Sequence, residues 1–203
     1  ARSEMCIRDR VETDGAKWSE LAGIAPEDLA DWWQVTLGFL NIVTNLWPDI
    51  LAERRLSNPA AHRNDLIWSE VKRLRAHPPA GPVIVAGSTG SIPATAELIS
   101  AIADLPNGAV VLPGLDRDLD DAAWQMLASA TDNPSTFGHP QFGLRKLLDA
   151  MQTLRADVEH LDDMPASKRL RERVVSEALR PAETTDAWGQ LARDPDMQPK
   201  ALQ

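Results

Sequence analysis

The chain has 203 residues, 43% of them hydrophobic and 25% charged, which is enough apolar side chain to bury a core. A formal net charge of −9 argues against wrapping DNA unaided, because that affinity comes mainly from Lys and Arg on phosphates. The single cysteine, Cys6, excludes an internal disulfide framework and a cysteine-only zinc site, and no apolar run reaches the roughly 18 residues that span a bilayer.

The first ten residues, "ARSEMCIRDR", read as a translated adapter or linker scar, so 1–10 is set aside from the fold. On that reading Cys6 is not native and the start of the chain is a truncation. No secretory signal is visible, and the cytoplasm is the default compartment. The rest divides into a helical segment 11–78, a β-α-β unit 79–116 and a mainly helical segment 117–203.

A helix is predicted from Pro26 to Leu56, with Glu27 and Asp28 in the first turn, where the helix dipole favours acids. Leu29, Trp32, Trp33, Leu37, Leu40 and Val43 recur at three- and four-residue steps, and Leu46, Trp47 and Ile50 continue the stripe. Pro48 interrupts it and predicts a kink or a junction of two helices. The tryptophans read as core packing. A base-stacking platform would need basic neighbours, and Trp32 and Trp33 sit among acids. A second helix is predicted over Pro59 to Ala76, with His62, Arg63, Lys72, Arg73 and Arg75 as a solvated face. "HPPAGP" at 77–82 ends it.

Val83 to Ala86 form a short apolar run, as a strand buried on both faces would. Gly87 to Ser91 is a loop. Pro93 opens a helix to about Leu105, with Leu98, Ile99, Ile102 and Leu105 inward, and Ala109 to Leu112 form a second buried strand. About 30 residues suit a right-handed crossover between parallel strands. Downstream, Asp118 is expected to cap a helix to about Ala130, followed by a long loop over 131–143. A helix over Leu144 to Leu154 and another capped by Ser167 and ending near Arg180 complete the chain.

The stretch "VIVAGSTGSIPATAELI" has the strand–turn–helix layout of a phosphate-binding loop. A Walker A loop needs G-x-x-x-x-G-K-[ST], and the turn has no lysine. "GSTGSI" also fails the dinucleotide pattern G-x-G-x-x-G. What remains is a generic anion candidate at Ser88, Thr89, Gly90 and Ser91, using backbone N–H groups at the helix start. The rival is a tight turn in which glycine supplies an unusual backbone conformation.

The acidic run Asp116, Asp118, Asp120 and Asp121 imitates a calcium loop. Asp121 and Leu127 stand where an EF-hand needs Gly and Glu, so helix capping explains it better. His62, His77, His139 and His160 have no metal-ligand spacing. His139, between Phe137 and Phe142, reads as a loop anchor. No catalytic constellation and no metal ligand is assigned.

Four strings, "LADWWQVTLGFLNIVTNLWP", "PPAGPVIVAGSTGSIPATAELISAIADLPNGAVVLPGLDRDLDDAAW", "HPQFGLRKLL" and "VSEALRPAETTDAW", resemble the alphaproteobacterial type of AddB, a double-strand break repair protein that pairs with AddA. The resemblance implies an internal fragment of a degenerate RecA-like, superfamily-one helicase domain with large helical segments. It implies an AddA-type partner that supplies the ATP- and Mg-driven motor, action on double-stranded DNA ends, and an iron–sulfur cluster and nuclease outside this chain. In active helicases of this class a buried strand ends in Asp-Glu, which holds Mg²⁺ and polarises the attacking water. Here that Walker B-like position falls on Ala86 and Gly87, so the chain is expected to be non-catalytic and to need no cofactor of its own. Two alternatives stand beside this reading. One is a small nucleotide- or anion-binding α/β enzyme using the Gly87–Ala94 turn, with Asp116 on a ribose. The other is a helical interaction scaffold.

Overall fold

The computed structural model describes residues 9–16, 30–128, 134–161, 165–191 and 193. The expected helix start at Pro26–Leu29, the expected helix end at Ala130, Cys6 and the side chains of Trp32 and Val43 lie outside the described residues. The chain is mixed α/β and mostly helical, with a two-stranded parallel sheet. It divides into two compact units, Ala1–Pro82 with Ile92–Asn107, and Val83–Ser91 with Gly108–Gln203. The division places the helix of the expected β-α-β segment in one unit and its two strands in the other.

In the first unit, α1 (Ala30–Asn41) runs into a π-helical turn at Ile42–Leu46 and then α2 (Trp47–Glu53). Pro48 has no N–H, and its ring would strike the carbonyl four residues back in an unbroken α-helix. The wide turn ahead of it is the junction that Pro48 predicted. It also overturns part of the expected apolar stripe. One extra residue in a turn rotates the downstream side chains by about 100° relative to the 3.6-residue pattern. Trp33, Leu37 and Leu40 are half-buried, whereas Leu46, Trp47 and Ile50 are exposed. Core packing therefore does not describe Trp47.

The next helix, α3 (Pro59–Ala76), has the expected bounds. Asn58 caps it, its side-chain Oδ1 accepting the Ala60 N–H at 2.9 Å, and Pro59 costs nothing at a position whose N–H has no helical partner. Asn58→Ala is expected to lower stability by about 1 kcal/mol, read as a reduced thermal midpoint. Val71 and Leu74 are buried on α3, and Ile99 and Ile102 on α4 (Pro93–Ala103), the helix that packs against it. The fourth helix stops two residues before the expected end, as the Asp104 and Leu105 N–H groups turn back to the Ser100 and Ile102 carbonyls.

In the second unit, β1 (Val83–Ala86) and β2 (Gly108–Val111) pair in parallel, with Val83 opposite Gly108 and Ala86 opposite Val111. The second strand sits one residue earlier than expected. Burial on both faces is corrected too. Val83 and Val85 are half-buried, while Ile84 is 65% exposed, so the strand alternates as period-2 geometry requires when one face is open. Beyond the sheet, Leu119, the buried face of α5 (Asp121–Ala128) and Leu148 form one core, with Leu112, Leu115 and Val158 against it.

Helix boundaries here depart from expectation for identifiable reasons. Asp120, not Asp118, caps α5, its Oδ1 accepting the Ala123 N–H at 2.9 Å. The expected loop 131–143 contains a helical turn, α6 (Pro134–Phe137), and α7 runs over Phe142–Ala150 instead of Leu144–Leu154. Gln152 takes a left-handed φ of 54°, which stops the helix and leaves Leu154 exposed. Ser167 lies inside α8 (Ala166–Ala178) and makes no cap; Pro165 precedes the helix, which ends before Arg180. A 3₁₀ turn at Ala182–Ala187 and α9 (Trp188–Leu191) come next. No described helix is long and apolar enough to cross a membrane.

Candidate functional site

The turn after β1 shows why glycine is there. Gly87 and Gly90 take φ values of 77° and 60°, conformations that side-chain-bearing residues rarely adopt. The second position has a further demand, since a Cβ on Gly90 would lie 2.8 Å from Leu147 Cδ1. The turn is thus packed closely under α7. Its donors are partly committed as well. The Gly87 N–H extends the sheet to the Val111 carbonyl at 3.0 Å, and the Gly90 N–H is directed at Ser88 Oγ at 3.3 Å. Thr89 and Ser91 are exposed and Ser88 is half-buried. Ile92, the residue before α4, has no side-chain cap and belongs to the other compact unit.

At the end of β1, Ala86 and Gly87, the pair expected at a Walker B-like position, are both exposed and carry no acidic side chain. The loop after β2 reaches Asp116, but that carboxylate has work within the fold. Its Oδ1 accepts the N–H groups of Asp118 and Leu119 at 2.9 and 3.0 Å. Asp116, Asp120 and Asp121 are thus committed to caps and ion pairs, whereas the side chain of Asp118, the expected cap, makes neither among the described residues. Asp121 meets Arg155 at 3.2 Å, and Asp120 meets Arg180. Among the described residues no group of three His, Cys, Asp or Glu side chains is placed to hold a metal.

Two side chains hold this loop in position, and a third anchors the segment that carries one of them. Gln141 donates to the Gly114 carbonyl and accepts the Asp116 N–H, both at 3.0 Å. Arg155 donates to the Leu119 carbonyl at 2.7 Å and lies over the Trp124 ring at 4.7 Å. His139 is the expected loop anchor. Its Nδ1 accepts the Gln141 N–H at 3.1 Å, which leaves Nε2 as the donor to the Leu179 carbonyl at 2.8 Å. Phe137 and Phe142 pack edge to face beside it, centroids 5.0 Å apart.

A second support lies beneath. The Arg180 side chain is 4% exposed and forks onto Glu177, itself 11% exposed, with both nitrogen–oxygen distances at 2.8 Å. Asp120 is its second partner. The Ala123 N–H is the main cause that holds the Asp120 carboxyl below its ordinary value, and Arg180 adds to it. Glu177 and Asp120 together raise the Arg180 guanidinium.

These contacts frame a cleft of about 820 Å³ at the carboxyl end of β2, between the 114–118 loop, the 157–161 segment and one face of α8. Sequence reasoning missed it. Its walls come from segments up to 69 residues apart, Val110 to Leu179, and no local spacing announces that Arg169 and Val175 will line one opening with Asp118.

No family model, curated protein or solved structure matches this chain. Its chemistry therefore has to be read from the residues themselves. The glycine turn can offer an anion its remaining backbone donors but no cationic side chain of its own. The cleft offers charged side chains of both signs around apolar walls.

Proposed function

We propose that this chain is a non-catalytic, RecA-like portion of an AddB-type subunit, acting with an AddA-type partner on double-stranded DNA ends during break repair and recombination. The observation that carries the reading is a parallel strand pair whose first strand ends in Ala86–Gly87, where a working motor would present Asp-Glu to Mg²⁺. The resemblance of the long string over 78–124 to AddB supplies the family. On this reading ATP and Mg²⁺ are handled by the partner, the iron–sulfur cluster and nuclease lie elsewhere in the subunit, and the assembly works in the cytoplasm.

The test is co-expression of the complete reading frame with an AddA-type subunit. ATP-dependent degradation of linear duplex DNA is expected to need both polypeptides. Ala86→Asp is expected to leave ATP turnover by the complex unchanged, because one acid on an exposed strand end does not rebuild a metal site. ATP hydrolysis by this chain alone, or a complex that works without it, would refute the reading.

The enzyme alternative at the Gly87–Ala94 turn is less well supported, because the N–H groups of Gly87 and Gly90 already have partners. The scaffold alternative draws on one specific feature, the exposed Val35, Ile42, Leu46, Trp47 and Ile50 of the α1–α2 region.

A further inference from the structure

The cleft at the end of β2 has features that the helicase-like reading does not use. Its position is where ligands of parallel α/β sheets commonly bind, outside the carboxyl ends of the strands. Its volume of about 820 Å³ lies in the range of small-molecule sites. The loop that forms its mouth is already held by Gln141, Arg155 and the Asp116 turn, so little ordering remains to be done on binding.

The charges in it are unusual. Arg117, Arg169 and Arg171 line the cleft and are exposed. None has an ion pair or side-chain hydrogen bond among the described residues, whereas Arg145, Arg155 and Arg180 of the same unit each meet a carboxylate. Carboxylates of Asp118, Asp157, Glu159 and Glu172 line the same opening. A bare anion would be repelled by these acids, and a bare cation by the guanidiniums. A molecule that carries an anionic group together with hydroxyls satisfies both. Guanidiniums bind phosphoryl oxygens through paired, charge-assisted hydrogen bonds, and carboxylates accept from hydroxyls.

Ser176 adds an independent observation. It lines the cleft at 4% exposure, and its hydroxyl is buried with no hydrogen-bond partner among the described residues. A buried hydroxyl left unpaired forgoes the hydrogen bonds it made to water in the unfolded chain. A ligand group that reaches it restores one. Leu148, Met151, Val158 and Val175 give the cleft an apolar wall for the rest of the ligand.

We infer that this cleft is a binding site for a phosphorylated sugar, with the phosphoryl group on Arg117 together with Arg169 or Arg171 of α8, and sugar hydroxyls on the lining carboxylates. The ligand could be a free sugar phosphate or the sugar phosphate of a nucleotide. The inference stands apart from the proposed AddB role, since it requires neither hydrolysis nor DNA.

Calorimetric titration of the whole chain with ribose 5-phosphate, adenosine monophosphate, adenosine and inorganic phosphate tests it. Both phosphorylated sugars are expected to bind saturably, and each of adenosine and inorganic phosphate at least about tenfold more weakly. Adenosine monophosphate binding about tenfold more tightly than ribose 5-phosphate would assign the nucleotide as the source; equal affinity would assign the sugar phosphate. Arg169→Gln with Arg171→Gln is expected to weaken binding roughly tenfold or more, while Lys72→Gln on α3 leaves it unchanged. Ser176→Ala is expected to weaken binding without lowering the melting temperature of the free chain. The inference is overturned if neither phosphorylated sugar binds at millimolar concentration. It is equally overturned if inorganic phosphate binds as well as they do, or if the paired arginine variant, folded by circular dichroism, keeps full affinity.

Discussion

Arg180→Ala is expected to destabilise the chain by about 3–5 kcal/mol. The guanidinium is 4% exposed and is the partner of Glu177, whose side chain is 11% exposed. Removing it leaves a carboxylate desolvated without compensation and takes a contact from Asp120, the residue that caps α5. Replacing the pair together, Arg180→Met with Glu177→Met, is expected to cost much less, because no orphaned charge remains. Urea unfolding of the three proteins measures this. A single-variant loss no greater than that of the double would show that the ion pair, not the orphaned charge, sets the energy.

The same network gives a pH dependence. The Asp120 carboxyl is held below its ordinary value, first by the Ala123 N–H and then by Arg180. Its stabilisation is therefore fully present above the unfolded value of about 3.9 and is lost as pH falls through the lower folded value. Asp120→Asn is expected to flatten the acid limb of the stability profile below about pH 4 and to reduce stability at neutral pH. An unchanged acid limb would mean that other carboxylates dominate it.

Leu147→Ala is expected to cost about 2–5 kcal/mol, since the side chain is 1% exposed and its loss leaves a cavity under the glycine turn. Gly90→Ala in the native background is expected to cost roughly 1–3 kcal/mol, from a left-handed φ of 60° and a Cβ 2.8 Å from Leu147 Cδ1. The two losses are not additive. With Leu147 shortened, the added methyl has room and only the backbone strain remains, so Gly90→Ala should cost less in the Leu147→Ala background. Equal costs in both backgrounds would remove the packing explanation. This cycle also bears on ligand experiments at the turn, because a bulky residue at Gly90 would disturb α7 packing whether or not an anion binds there.

The sequence by itself determined much of the local structure. The bounds of α3, Pro59 to Ala76 with the proline-rich break from His77, follow from proline and turn chemistry and hold to the residue. The strand–turn–helix order from Val83 to Ala103, the parallel pairing it implies and the glycine-dependent turn were legible for the same reason. Each depends on periodicity, proline geometry or a backbone angle that a few adjacent residues fix. His139 as an anchor was legible from its company of glycine, proline and aromatics, though its partner Leu179, 40 residues away, was not.

Tertiary structure decided the rest. Which acid in the run Asp116–Asp121 caps α5 depended on where Arg155 and Arg180 arrive from later in the chain. The exposure of Ile84 and Trp47 depended on which faces found neighbours, which an apolar run or a helical stripe cannot state. The demand for glycine at position 90 came partly from Leu147, a contact across 57 residues. The cleft at the end of β2 is likewise a product of long-range packing, since nothing in the local sequence of α8 says that its arginines will share an opening with the end of a strand. Local rules fix how a segment bends and where it stops, because their energies are spent within one or two turns of chain. Which surfaces meet is settled by burial summed over distant segments, and the candidate binding chemistry of this protein lies there.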